Sequence, residues 1–408
     1  MKITGIDTFV VDAGWRPWTF VAVRTDADVT GYGECSDGRM PYSVAAAAQE
    51  FEKILLGEDP RPVEARYWDL YRMSRQSPGG IAAKAIAGIE LALWDIKAKA
   101  LGVPVYELFG GPIRRRQRVY WSHCGTSRAR NADIIGVPPL RTWDDISALG
   151  REVADRGFTA LKTNIVYPGD PARVYFGGFG GGQGTTDGTI DNATIDHIRT
   201  LIGTFRDAVG PNIDIALDLN FNFRVEAATR ICRALEDLRM MWVEIDMYEP
   251  DGLREIRDAT SVTVCSGENL FGPRDYRRYF EARSMDVCMI DLPWNGFGPA
   301  KKVADMAETF EVNCAPHNYY SHLSTLHSVH LCAVIPNVRI CEIDIDDVPW
   351  KDDLITEKME FDHGDVLIPD RPGWGADLNE DVAREHVWER DRPPGYMNQM
   401  ADSQGARR

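Results

Sequence analysis

Positive charge is the scarcer kind in this chain, and no run is apolar enough over sufficient length to span a bilayer. Its 408 residues carry 46 Lys and Arg against 62 Asp and Glu, a formal net charge of −16. That surface repels nucleic acid and anionic lipid, so neither is expected as a partner. An anionic substrate would have to be drawn in by local cations or a metal. Cys-x-x-Cys pairs and zinc-finger spacings are also missing. The eight cysteines are scattered, which predicts reduced thiols and a cytoplasmic setting. The first residues, Met1 to Val11, lack the apolar core and cleavage site of a signal peptide and read instead as a strand. Disorder is excluded as the main state, since 44% of the residues are hydrophobic and only 26% charged.

What is present suggests two domains. Residues 2–11, 19–25 and 30–35 read as strands. Stretches 42–55, 62–75 and 80–101 read as helices, the last with Ile86, Ile89, Leu93 and Ile96 near helical spacing and a stop at Gly102-Val-Pro104. This is an α+β unit. From Arg118 the texture changes to alternating strand and helix. Strands are expected at 119–123, 160–165, 213–219, 241–245, 262–267, 286–290, 312–315 and 338–341, with seven helices between them. The fold class is therefore α/β: a modified (β/α)8 TIM-like barrel with an α+β N-terminal capping domain. The capping domain is expected over 1–117, completed by 356–408, and the barrel over 118–355. The glycine-rich stretch within Tyr167–Gly188 reads as a long flexible loop over the barrel mouth, and the tail beyond about Asp391 as frayed.

Three acids end strand-like runs: Asp218, Glu244 and Glu268. They lie 26 and then 24 residues apart, about one strand–loop–helix unit each. In a barrel this places the three carboxylates side by side at the mouth where such enzymes work. Alternation in the first run puts Ala216 and Asp218 on one face and Ile215 and Leu217 on the other. Carboxylates so crowded repel unless a hard cation joins them, and Mg²⁺, one per subunit, suits an all-oxygen site. Further polar residues fall at strand ends. Lys162 and Asn164 share a face of strand 2, Asp291 ends strand 6, His317 ends strand 7 and Glu342 ends strand 8. An Asp and a His on neighbouring strand ends can hydrogen-bond, which fixes the imidazole as a base.

In this pattern the chain resembles the enolase superfamily, mandelate racemase subgroup. The segments Ala85–Lys97, Gly102–Gly111 and Ile368–Gly373 are similar to that family's cap and its C-terminal return. The resemblance implies Mg²⁺ on Asp218, Glu244 and Glu268, with His317 as the base that removes the proton α to a carboxylate and Asp291 as its orienter. It also implies a protonated Glu342, its pKa raised by neighbouring negative charge, against the substrate carboxylate. Lys162 would contact that same carboxylate. The subgroup's usual Lys-x-Lys on strand 2 is here Lys162-Thr163-Asn164, and asparagine cannot accept a proton. A second family departure is Glu244-Ile245-Asp246 in place of Glu-Glu-Pro. One base suffices for dehydration, in which His317 would take the α-proton and then protonate the leaving hydroxide. The expected activity is thus a Mg²⁺-dependent carbon–oxygen lyase, a dehydratase acting on a sugar acid (aldonate or aldarate) to give a 2-keto-3-deoxy acid. The alternatives are a racemase, epimerase or cycloisomerase using the same enediolate, or a silent barrel that only binds a metabolite or a protein partner. Arg16, Trp15 and Trp18, on the cap loop, are expected to hold the distal end of the substrate, with Asn220 as a further substrate contact. A homo-oligomer is expected from the resemblance.

Overall fold

The computed structural model describes residues 1–175 and 187–391; the glycine-rich part of the expected loop (176–186) and the tail from 392 lie outside the described residues. The chain opens with an antiparallel sheet, β1 (Ile3–Asp12), β2 (Pro17–Thr25) and β3 (Gly31–Glu34), followed by α1 (Pro41–Leu55), α2 (Val63–Met73) and α3 (Gly80–Leu101). Helix α3 is apolar almost all round because it is enclosed all round. On one side β3 approaches so closely that a Cβ on Gly31 would stand 2.0 Å from the Ala92 carbonyl oxygen, and one on Gly33 2.1 Å from that of Gly88. Only glycine lets sheet and helix meet there.

The second part runs β4 (Arg116–Ser122), α4 (Thr126–Ile135), α5 (Trp143–Asp155), β5 (Ala160–Thr163), a small hairpin β6 (Val166–Tyr167) and β7 (Arg173–Val174), and α6 (Asn192–Val209). It continues with β8 (Asp214–Asp218), α7 (Val225–Ala234), β9 (Trp242–Glu244), α8 (Pro250–Asp258), β10 (Val264–Ser266), α9 (Gly272–Ala282), β11 (Val287–Cys288), α10 (Leu292–Asn295), α11 (Phe297–Thr309), β12 (Asn313–Cys314), α12 (His322–Val334) and β13 (Cys341–Asp344). Strands β4, β5 and β8 to β12 pair in parallel in that order, and β13 pairs with β4. A bridge between Cys314 and Val338 closes the ring.

Two elements differ from expectation. Helix α4 occupies a stretch in which no element is expected from the sequence. The eighth strand is displaced as well: residues 337–339 spend their backbone bonds on Cys314, so the ladder with β4 begins only at Cys341. Glu342 is therefore inside the strand, opposite Tyr120, rather than at its end.

Inside the barrel, Tyr120, Ala160, Ala216, Trp242, Cys265, Val287, Ala315 and Ile340 form a separate apolar cluster. Each comes from one strand or its extension. Two residues further up, with side-chain period two, stand Ser122, Lys162, Asp218, Glu244, His317 and Glu342. The polar layer is thus the storey above the core. The first unit covers it through two carboxylates at helix N-termini, where free amides attract negative charge. Glu90 accepts from the amides of Phe297 and Gly298 at 2.7 and 2.8 Å, and Glu34 from the amide of Ser324 at 3.1 Å. Burial pushes both carboxyls up to about 7 against those hydrogen bonds. After residue 356 the chain adds β14 (Phe361–Asp362) and β15 (Asp365–Leu367), the latter antiparallel to the start of β4. It then returns to the cap, where α13 (Glu380–Glu385) packs on β1.

Candidate active site

A cavity of about 910 Å³ lies between cap and barrel, lined among others by Trp15, Arg16, His123, Lys162, Asp218 and His317. On its floor the oxygens of Asp218, Glu244 and Asp246 lie within 4.8 Å of one another, all buried. Strand-end spacing does not pick out Asp246, which sits two residues beyond Glu244 and so on the same face. Glu268, expected as the third member, turns its Oε2 to His317 Nε2 at 3.1 Å. Its strand explains the turn. Gly267, next in phase after Cys265, has φ +110° and redirects the chain before Glu268. A Cβ there would also meet the Met289 carbonyl at 3.3 Å.

The charge on this floor is poorly balanced. Burial and mutual repulsion hold the Glu244 carboxyl well above its usual range and push Asp246 and Glu268 each up to about 8. Two buried oxygens, Glu244 Oε1 and Asp246 Oδ2, have no hydrogen-bond partner, and a buried acceptor left unpaired is costly. A hard dication satisfies both conditions. The donor set is all oxygen, which fits Mg²⁺.

Lys162 is the counter-charge. Its Nζ stands 2.9 Å from Glu244 Oε2, 2.8 Å from Glu342 Oε1 and 3.9 Å from Asp218. Burial works to neutralise it, but Glu244 and Glu342 outweigh that and hold it protonated, its pKa well above normal. An ammonium so held is not a base. The same contact corrects the expectation for Glu342. Burial would raise this carboxyl, but Lys162 and His317 draw it down to about 2, and it also accepts from Ser122 Oγ and from the Asn318 amide at 2.9 Å. Glu342 is ionised, not a proton donor. Asn164 is fixed by its neighbours: Oδ1 accepts from Thr126 Oγ1 at 2.8 Å, and Nδ2 donates to the Asp218 carbonyl at 3.3 Å. Asn220, at φ 49°, folds its amide back on the Asp218 carboxylate at 2.9 Å, so both asparagines hold Asp218 in place.

His317 stands opposite. Its Nδ1 lies 2.7 Å from Asp291 Oδ2. Asp291 is itself pinned by the Tyr320 hydroxyl at 2.6 Å and the Trp294 amide at 2.9 Å. Burial lowers the imidazole pKa, but Glu268 and the Asp291 hydrogen bond overcome it and push it up to about 10.

The cap residues sit differently from expectation. Arg16 is buried with 2.7 Å contacts to both Asp344 and Asp347, and its guanidinium lies 4.0 Å over the Trp15 ring. Its charge is already answered inside the protein. Trp18 does not line the cavity but packs edge-on against Trp350 at 6.1 Å. Trp15 does line it. The sequence also gave no sign of His123, whose position one past the inward Ser122 predicts an outward side chain. Its φ of 47° reverses that, and the ring joins the cavity wall with Nδ1 2.9 Å from Asp344 Oδ1.

Residues 8–110 match the mandelate racemase / muconate lactonizing enzyme N-terminal domain, and residues 145–382 match the enolase C-terminal domain-like family. The chain is an enzyme of the enolase superfamily, in its mandelate racemase subgroup. A D-xylonate dehydratase of Haloferax volcanii is 30% identical, over 95% of this chain and 89% of that one. A D-galactonate dehydratase of Ralstonia nicotianae is 30% identical over 94% of each. Among solved structures, a protein of Burkholderia xenovorans described provisionally as an L-alanine-DL-glutamate epimerase, bound to magnesium and fumarate, superposes with TM-score 0.93 at 36% identity, covering 98% of this chain and 99% of that one. Within the enolase superfamily the site thus combines a carboxylate floor, one protonated lysine and an oriented imidazole.

Proposed function

We propose that this enzyme dehydrates a sugar acid, an aldonate or aldarate, to a 2-keto-3-deoxy acid with the help of Mg²⁺. The observation that carries the reading is the state of strand 2. Lys162 is held as an ammonium by two carboxylates, and Asn164 has no basic nitrogen, so His317 is the base that faces the floor. Inversion at the α-carbon calls for a base on each face, whereas elimination needs one base followed by an acid. Asp218, Glu244 and Glu268 would hold the ion, with Asp246 beside them. When bound, the dication supplies positive charge against the substrate carboxylate as negative charge builds there.

The protein's own groups do the rest. Lys162 offers the carboxylate a second cation. His317 Nε2, freed of its proton, takes the α-hydrogen, while Asp291 holds the ring at Nδ1 and stabilises the imidazolium that results. The electron pair left behind expels the β-hydroxyl as water once a proton reaches it, and the enol then tautomerises. Relatives named as D-xylonate, D-gluconate and D-galactonate dehydratases, each 30% identical, support the substrate class. The provisional epimerase supports a second reading, α-proton exchange without elimination, since the backbone match is close.

A library of aldonic and aldaric acids incubated with enzyme and Mg²⁺, assayed for 2-keto acids, tests this. At least one acid should yield keto product. Exchange of the α-hydrogen with deuterated solvent and no keto acid from any member would establish the epimerase reading instead.

A further inference from the structure

A second imidazole faces the same cavity. His123 follows β4, the strand next to β13 on one side, while His317 follows β12 on the other, so the two rings flank Glu342. Both pack against Tyr319, with ring centroids 5.7 Å and 5.1 Å from it. His123 repeats the construction of the catalytic histidine. A buried carboxylate, Asp344, takes Nδ1 at 2.9 Å and is itself fixed by Arg16 at 2.7 Å. That leaves Nε2, which has no hydrogen-bond partner among the described residues. The ring reaches the cavity only because residue 123 adopts φ 47°, a conformation that side chains larger than glycine enter at a cost and that gathers at working sites.

Resting on the dehydratase reading above, we propose that His123 is the general acid of the elimination: its Nε2–H gives the proton to the departing β-hydroxyl, and His317 handles the α-hydrogen alone. In balance, His317 gains the α-proton and the carbanion pair forms the Cα–Cβ double bond. The Cβ–O bond breaks, its electron pair leaves with oxygen, and the His123 proton completes water. The enol takes a proton at Cβ as it becomes the keto acid, and exchange with solvent restores both imidazoles. Hydroxide is a poor leaving group. A separate donor spares the reaction from waiting on an imidazolium that is tied to Asp291 on the other flank.

His123→Asn is the variant to make. Asparagine tolerates positive φ and can still donate to Asp344, but cannot deliver a proton. Two rates are followed in deuterated water with a sugar acid that the wild type dehydrates, namely keto acid formation and deuterium incorporation at the α-carbon of residual substrate. Keto acid formation should fall by about 10²-fold or more, while α-exchange persists within about twofold. With the 3-deoxy-3-fluoro analogue, whose fluoride leaves without full protonation, the variant should approach the wild-type rate. Wild-type rates of dehydration in the variant, or elimination and exchange falling together on both substrates, would overturn the assignment. A wild type that forms no keto acid from any sugar acid defeats the dehydratase reading itself, which is a separate result seen before any variant is made.

Discussion

Around β13, Glu342, Asp344 and Asp347 are buried carboxylates, and each is matched by cations of the protein itself. Lys162 meets Glu342, Arg16 meets both aspartates, and Lys351 reaches Asp347 at 3.0 Å. On the other side of the mouth, the cations beside Asp218, Glu244, Asp246 and Glu268 among the described residues are Lys162 and, when protonated, His317, and two of the carboxylate oxygens have no partner there. The consequence shows in their protons: on the first side Glu342 is drawn down to about 2 and Asp344 is held below its usual range, while on the second Glu244 is held well above its range and Asp246 and Glu268 are pushed up to about 8. Buried acids alone therefore do not mark a metal site. What makes a group a candidate for one is a set of carboxylates that the fold leaves short of positive charge.

That contrast is open to attack from either side. The largest expected effect is on the deficient side: Asp218→Asn or Glu244→Gln should abolish Mg²⁺ binding and lower turnover at least a thousandfold, on the order of 4 kcal/mol, as should a chelator. Calorimetry with Mg²⁺ and steady-state assays check this. On the matched side, Arg16→Met should leave Mg²⁺ affinity nearly unchanged but destabilise the fold by about 3 kcal/mol, because Asp344 and Asp347 lose the guanidinium they share and keep only His123 and Lys351 beside them. Denaturant melts compare the two. A selective loss of affinity for dicarboxylate sugar acids without loss of stability would return Arg16 to the role of substrate anchor.

Smaller effects sharpen the same comparison. Saturating Mg²⁺, at a hundred times its Kd, should add about 2.7 kcal/mol to wild-type stability and nothing to Asp218→Asn. Thermal melts in a Mg²⁺ series show it. The matched side should appear in acid. A carboxyl whose folded pKa is depressed binds its proton more readily when unfolded, so its stabilising contribution is complete above the unfolded value of about 4.3 and is lost as pH falls toward 2. Glu342→Gln should flatten that part of the stability–pH curve; an unchanged slope would show that Lys162 does not hold Glu342 ionised.

The barrel was legible because its units recur: strand-end acids one unit apart carried the phase of the ring, and α3 announced itself by apolar spacing. Helix α4 was not, since Thr126–Ile135 contains little apolar periodicity. In the site, period-two reasoning places Lys162, Asp218 and Glu244 on one wall. The same reasoning applied to Asp246 would have included it. It fails for His123 and Glu268 because single residues with positive φ, His123 and Gly267, break the alternation. The partners of Arg16 lie more than 300 residues away in sequence, and no local pattern connects them. The charge state of Glu342 depends on a lysine from another strand, which strand-end spacing does not show.

The most direct test of the central claim is the anomalous difference map of a crystal soaked in Mn²⁺, a hard dication standing in for Mg²⁺. One peak per chain should lie against Asp218 and Glu244, closed by Glu268 or Asp246, with none beside Asp344 and Asp347. A map without density at the first group, or with its peak at the second, would contradict the account.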